Sequence, residues 1–214
     1  MMDAIFPSCQ GLPGISPDET IVGVLPGSRE EAYTNLPLLS VTIDEIIKGY
    51  PEMIFAVALA GNLSLEKATG TLIQGGWQVA SSSSYHPKEV MLTKGRARLL
   101  IAQGRFGDIL QASNICLGMA GTANEQAVGL GRPVVAFPGP GSQFTSKFLV
   151  AQKRLLGDAL AATDGPVAAG QAVLDILRDP DKYRIMADCG RERMGPPGGA
   201  DRMAAELMRL WDIE

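Results

Sequence analysis

Short apolar runs alternate along the chain with longer segments whose apolar residues recur every three or four positions. The apolar runs predict strands at 20–25, 53–59, 97–102, 114–119 and 133–137, with a weaker one at 158–163. The three-to-four spacing predicts helices at 35–50, 64–76, 106–113, 122–131, 144–156, 166–178, 181–193 and 199–211. The segment 77–90 is ambiguous, a short strand followed by a serine-rich loop. Continuous apolar strands alternating with helices favour an α/β fold, with a doubly wound, Rossmann-like parallel sheet covered on both faces.

Composition narrows the class of protein. The 214 residues, 46% of them hydrophobic, suit one large domain, and we interpret 19–214 as that domain and the proline-broken 1–18 as a linker or domain edge. The net charge of −4 argues against a general nucleic-acid binder. The three widely spaced cysteines, the lack of a basic leader and the lack of a long apolar run together predict a cytoplasmic protein.

In a doubly wound sheet, ligands bind beyond the carboxyl ends of the strands. The loops that follow the predicted strands are therefore the candidate binding loops, and they are 26–34, 103–106, 118–124 and 138–145. The single histidine, His86, lies in the serine-rich loop, where a structural or solvated role is the usual one. No cluster of metal-ligand residue types is evident, so we predict no metal site.

The loop after the first strand reads PGSREE. Gly27 allows close approach to a ligand, Ser28 offers a hydroxyl, and the Arg29 guanidinium suits a phosphate. The loop is neither a Walker loop nor a Gly-x-Gly-x-x-Gly fingerprint. A plain turn with solvated charges would explain the same residues.

The segment GMAGTANE places Gly121, Thr122 and Ala123 at a helix start. Free N–H groups and the helix dipole make such a start a natural anion site. Glu125 could accept from a ribose diol, although a carboxylate in the first helical turn also favours the dipole without any ligand.

The remaining two loops carry weaker signals. Arg105 and Phe106 could contact a base, while an aromatic at a helix start more commonly belongs to the core. Ser142, Gln143 and Thr145 are neutral polar groups of the kind that bind sugar hydroxyls, and an ordinary surface loop would look the same.

In order, LPGSR after the first strand and GTANEQAVGLGRPVVAFPG in the second half resemble the C-terminal, nucleotide-sugar-binding domain of GT-B glycosyltransferases. The resemblance is to lipid-A-disaccharide synthase and its relatives, and it covers about 21–157. It implies an inverting enzyme that moves an N-acetylglucosamine-type sugar from UDP to a lipid or sugar acceptor without a metal or other cofactor. It also implies a missing N-terminal Rossmann-like domain, an inactive isolated half, and peripheral association of the full enzyme with the inner membrane.

The resemblance assigns the diphosphate and the acceptor cleft to Gly27, Ser28 and Arg29, with Arg29 as the catalytic cation. It also assigns the phosphates to Gly121, Thr122 and Ala123.

For the rest of the donor, the resemblance assigns the ribose to Glu125, the uracil to Arg105 and Phe106, and the donor sugar to Gln143. The family carboxylate usually lies seven residues before the proline of the Gly-x-Pro segment. Here Glu125 lies eight before Pro133 and position seven is Gln126. Either Glu125 acts from a shifted helix, or Gln126 weakens the ribose contact.

Three other interpretations remain open. A half of a UDP-N-acetylglucosamine 2-epimerase-like enzyme would use the same ligand class. A degenerate GT-B half could serve interaction or regulation without catalysis, and a flavodoxin-like domain would need no nucleotide sugar.

Overall fold

A computed structural model describes residues 2–8, 11–80 and 87–211. An eight-stranded sheet has the strand order β3-β4-β5-β2-β1-β6-β7-β8. The strands are β1 Ile21–Leu25, β2 Ile54–Leu59, β3 Gln78–Val79, β4 Glu89–Lys94, β5 Ala97–Gln103, β6 Ile115–Gly118, β7 Val134–Ala136 and β8 Leu160–Ala162. The α/β, Rossmann-like fold predicted from the alternating pattern is confirmed.

Six of the eight strands are parallel, and the other two are not. β4 pairs antiparallel with β5 and β3 pairs antiparallel with β4, so one edge of the sheet is a hairpin extension. The sheet is therefore parallel except at this edge, where the sequence pattern did not predict the antiparallel pair. β4 was missed because it is only half-buried and carries charged residues at both ends, whereas the central strands are apolar throughout.

Eight α-helices occur in the described residues. They are α1 Ala32–Gly49, α2 Leu65–Gln74, α3 Phe106–Ala112, α4 Thr122–Gly129, α5 Ser146–Leu156, α6 Pro166–Arg178, α7 Pro180–Met194 and α8 Gly199–Leu210, and 3-10 turns cover Met2–Ala4 and Gly157–Ala159. No helix in the described ranges combines the length and the apolar character needed to cross a bilayer.

Alternate strand residues feed two apolar clusters on opposite faces of the sheet. Phe55 and Val57 of β2 belong to the larger cluster, while Ile54 and Ala56 belong to a smaller one that includes Ile109 of α3. This division follows from the two-residue period of a strand. Burial on both faces explains why the central strands are continuous apolar runs.

The start of α1 differs from the prediction. Asn35 was expected to cap this helix, but α1 begins at Ala32 and places Asn35 in its first turn. The buried Asn35 amide instead donates to the Pro26 carbonyl oxygen over 3.0 Å. This bond ties the helix to the loop that follows β1.

The described part of 1–18 is fastened to the body of the domain. Ser8 donates from its backbone N–H and its hydroxyl to the buried Asp108 carboxylate, over 2.6 and 2.8 Å. Leu12 is buried in the smaller cluster. The Asp3 carboxylate accepts from the N–H groups of Gly198 and Ala200 at the start of α8, and these bonds lower the pKa of Asp3.

Candidate nucleotide-binding cleft

A cleft of about 510 Å³ opens where the sheet changes its winding direction. From β1 the chain adds β2 and β5 on one side, then crosses back to place β6, β7 and β8 on the other. The carboxyl ends of β1 and β6 are therefore neighbours, and the cleft lies beyond them. In doubly wound sheets this switch point is the usual ligand site, and the volume falls within the range of small-molecule pockets.

The β1–α1 loop forms one wall of the cleft. Gly27, Ser28 and Arg29 all line it. Gly27 has φ +102°, a conformation that favours glycine, and a Cβ there would lie 3.4 Å from the Met119 carbonyl oxygen of the facing turn. The Ser28 carbonyl oxygen accepts from Asn62 over 3.1 Å, so the loop is held from the β2 side as well.

The β6–α4 turn forms the facing wall. Gly121, Thr122 and Ala123 line the cleft at the start of α4, as the predicted anion site requires. The N–H groups of Asn124 and Glu125 donate to the Gly121 carbonyl oxygen, over 3.1 and 3.3 Å. The preceding positions, Thr122 and Ala123, are those at which an α-helix supplies its N–H groups with no intrahelical acceptor. Positive potential from this turn therefore faces the wall that carries Arg29.

The β7–α5 loop closes one end of the cleft and is held by Glu31. The Glu31 carboxylate accepts from the Ser142 N–H at 2.7 Å, from the Ser142 hydroxyl at 3.0 Å and from the Gln143 N–H at 3.1 Å. The Arg29 guanidinium in turn donates to the Gln143 side-chain oxygen. Gln143 is thus placed beside Arg29 and lines the cleft.

Three phenylalanines supply apolar lining: Phe106, Phe144 and Phe148. Phe106 is the first residue of α3, as predicted, whereas Phe144 and Phe148 were not singled out from the sequence. The two pack at 5.5 Å between ring centroids, and the Phe148 ring lies 3.4 Å from where a Gly121 Cβ would stand. The sequence signal that could have found Phe144 and Phe148 is their position near the start of a helix that follows a strand.

Arg105 does not line the cleft. Its guanidinium donates to Glu89 and Asp108, each over 3.0 Å, to the Ser8 hydroxyl over 2.8 Å and to the Gly11 carbonyl oxygen over 3.1 Å. Two carboxylates and the N-terminal segment thus hold the guanidinium away from the cleft. The expectation that Arg105 lies near a base is not supported by this placement.

Glu125 and Gln126 occupy different environments on α4. Gln126 is buried and lines the cleft, whereas Glu125 is half-buried and is not among the lining residues. Partial burial raises the pKa of Glu125. The helix is therefore not shifted to bring Glu125 into the cleft, and position seven, the usual position of the family carboxylate, carries an amide here.

His86 and Cys9 lie outside the described residues. Cys116 is fully buried in β6, and burial raises the pKa of its thiol to about 12, so it is a poor nucleophile.

Comparison with known proteins agrees with this architecture. Over 125 residues the chain is 26% identical to lipid-A-disaccharide synthase of Acinetobacter baylyi, covering 58% of this chain and 29% of that enzyme. The resemblance predicted from the motifs is confirmed at this level. No protein-family model matches the chain.

The fold is also found in solved structures, including these two. UDP-GlcNAc 2-epimerase from Neisseria meningitidis, bound to UDP-GlcNAc, superposes with a TM-score of 0.61 and 18% identity over 94% of this chain and 47% of the epimerase. The C-terminal CMP-Kdo-binding domain of WaaA from Acinetobacter baumannii gives a TM-score of 0.60 and 9% identity, covering 83% of this chain and 90% of that domain. The fold is that of a GT-B-type domain. The chain spans less than a third of the curated relative and about half of the epimerase.

Proposed function

We propose that this chain is the UDP-sugar-binding domain of an inverting glycosyltransferase related to lipid-A-disaccharide synthase. One observation carries the proposal: the Arg29 guanidinium and the start of α4 line the same cleft at the carboxyl ends of β1 and β6. A guanidinium and helix N-terminal N–H groups that face one cavity suit a diphosphate. The match to lipid-A-disaccharide synthase supports a sugar-transfer enzyme, and the fold shared with an epimerase bound to UDP-GlcNAc supports UDP as the nucleotide.

In this proposal the diphosphate spans the cleft between its two loops. The N–H groups of Gly121, Thr122 and Ala123 bind one side of it. Arg29 and Ser28 bind the other. During transfer of an N-acetylglucosamine-type sugar, the bond between the sugar and UDP breaks and negative charge grows on the departing UDP. Fixed N–H dipoles and the Arg29 cation stabilise that charge, which is electrostatic catalysis.

The nucleoside extends from the diphosphate along α4 towards α3. Gln126 lies at the ribose position. Its amide forms a hydrogen bond with one ribose hydroxyl, whereas a carboxylate there would accept hydrogen bonds from two. Phe106 provides an apolar face for uracil. Gln143, held by Arg29 and by the loop that Glu31 fastens, contacts the donor sugar.

A lipid-linked or sugar acceptor would approach from the open side of the cleft, from a second Rossmann-like domain. The catalytic base belongs to that domain in this scheme. The isolated chain therefore binds the donor without transferring it.

The 2-epimerase is the second candidate, because a UDP-GlcNAc 2-epimerase superposes along 94% of this chain. Proton NMR of UDP-N-acetylglucosamine incubated with the protein tests whether this chain alone carries out the second function. Epimerisation gives the signals of the second sugar nucleotide without any acceptor. The glycosyltransferase proposal predicts an unchanged donor spectrum apart from broadening on binding.

Isothermal titration calorimetry tests the proposed ligand directly. We expect UDP to bind the wild-type protein with a dissociation constant below 1 mM, and uridine to bind at least about 10-fold more weakly because it lacks the diphosphate. CMP serves as a nucleotide control with a different base and one phosphate. The absence of measurable heat at millimolar UDP would overturn the proposal.

A further inference from the structure

Behind the β6–α4 turn, on the side away from the cleft, lies a pair of buried amides, Asn124 of α4 and Gln152 of α5. The Asn124 amide nitrogen donates to the Gln152 side-chain oxygen over 2.9 Å and to the Gly118 carbonyl oxygen over 3.3 Å. Because the Gly118 carbonyl oxygen can only accept, it fixes the Asn124 nitrogen on this side of the amide, and the Gln152 atom that faces it is the oxygen. The Gln152 oxygen is thereby committed to Asn124, and the Gln152 nitrogen faces the turn.

The Gln152 nitrogen then donates to two successive backbone carbonyls. It lies 3.2 Å from the Ala120 oxygen and 3.0 Å from the Gly121 oxygen. A peptide unit is planar and trans, so its N–H points opposite to its C=O. Holding these two carbonyls towards Gln152 therefore turns the N–H groups of Gly121 and Thr122 away from it.

We infer that Gln152 is a positioning residue, which aims the N–H groups of Gly121 and Thr122 at the phosphates of the bound nucleotide. Gln152 itself touches no ligand, since it is buried and is not among the residues lining the cleft. The inference rests on the proposed function, because it assumes that the turn binds phosphate.

The glycine at position 118 fits this arrangement. A Cβ at Gly118 would overlap the Asn124 side-chain oxygen, so a side chain there would displace Asn124. The strand end, the first turn of α4 and the middle of α5 are thus connected through two amides. An aliphatic side chain of the same length could not supply the two donor hydrogens of the Gln152 amide.

The variant Gln152→Met tests the inference, because methionine fills a similar volume without a donor. We expect UDP affinity to fall about 5- to 10-fold in this variant by isothermal titration calorimetry, while uridine affinity changes less than twofold. A purely structural role would weaken both ligands alike. Gln74→Met at the exposed end of α2 is the matched control and should leave both affinities unchanged.

If Gln152→Met does not give a folded protein by circular dichroism, Gln152→Asn keeps the amide but shortens the side chain by one methylene. The same selective loss of UDP affinity is expected. A variant that binds UDP as tightly as wild type overturns the inference and leaves the proposed function intact. A wild-type protein that binds neither UDP nor inorganic pyrophosphate overturns both.

Discussion

Two arginines follow parallel strands of the same sheet, each at the carboxyl end of its strand, and they have different surroundings. Arg29 follows β1, is exposed and lines the cleft, where its guanidinium donates to the Gln143 side-chain oxygen. Arg105 follows β5, and its side chain, 16% exposed, is enclosed by Glu89 and Asp108. A guanidinium among carboxylates is already neutralised, whereas one that faces helix N–H groups is not. The comparison shows that position at the ligand edge of a sheet does not by itself give an arginine a ligand.

The largest effect is expected for Arg105→Met, and it is on stability. Removing this cation leaves two largely buried carboxylates without the positive charge that compensates theirs, which costs about 3 kcal/mol of the free energy of unfolding. Chemical denaturation measures the loss, and UDP affinity should stay within twofold of wild type. Arg96→Met is the matched control, since Arg96 and Glu52 form an exposed pair and its loss should cost less than about 1 kcal/mol. A strong loss of UDP affinity in folded Arg105→Met protein would return this residue to the binding site.

The converse variant, Arg29→Met, is expected to affect binding and not stability. A charge-assisted hydrogen bond to phosphate contributes about 1.5–3 kcal/mol, so UDP affinity should fall about 10- to 100-fold. Isothermal titration measures the change, and the denaturation midpoint should match that of wild type. Equal UDP affinity in variant and wild type would remove Arg29 from the phosphate site.

Gln126 and Glu125 offer a finer comparison along one helix. Gln126→Ala should weaken UDP several-fold because Gln126 lines the cleft, and Glu125→Ala should change UDP affinity less than twofold. Both values come from the same titration series. The reverse order of effects would mean that Glu125 is the ribose ligand, as its carboxylate first suggested.

The smallest effect is expected for Glu125→Gln, as a pH dependence of stability. Burial raises the folded-state pKa of Glu125 above its ordinary value of 4.5, so protonation favours the folded state and ionisation opposes it. The wild-type carboxyl therefore does not destabilise the folded state below about pH 4.5, and it lowers the free energy of unfolding as pH rises from there through its folded pKa. Glu125→Gln should raise the melting temperature at pH 7 by on the order of a degree, and this difference should vanish below about pH 4. A constant difference across this range would assign the effect to packing.

Much of the fold could be predicted because burial on both faces leaves a direct trace in the sequence. β1 and β2 are continuous apolar runs, and the predicted strands match them within one residue. β4 has no such trace, because this half-buried strand, second from the edge of the sheet, carries charged residues at its ends. The start of α1 was misplaced because asparagine is a common N-cap residue. Here the Asn35 side chain instead donates to the Pro26 carbonyl oxygen, nine residues before it.

The site followed the same division. Gly27, Arg29 and the start of α4 could be placed together because the strand order brings β1 beside β6. The enclosure of Arg105 depends on Glu89 in a strand that was not predicted and on Ser8 in the N-terminal segment. The fastening of the β7–α5 loop by Glu31 joins positions 111 residues apart, and periodicity carries no information about such a contact.

The central claim is that the start of α4 and Arg29 bind the diphosphate of a nucleotide. A titration of ¹⁵N-labelled protein with UDP, followed through the backbone amide signals, tests it most directly. The account predicts saturable shifts at Gly121, Thr122 and Ala123 that uridine does not reproduce, together with a shift of the Arg29 side-chain signal. Saturable UDP binding that leaves these signals unmoved and shifts amides elsewhere would contradict it.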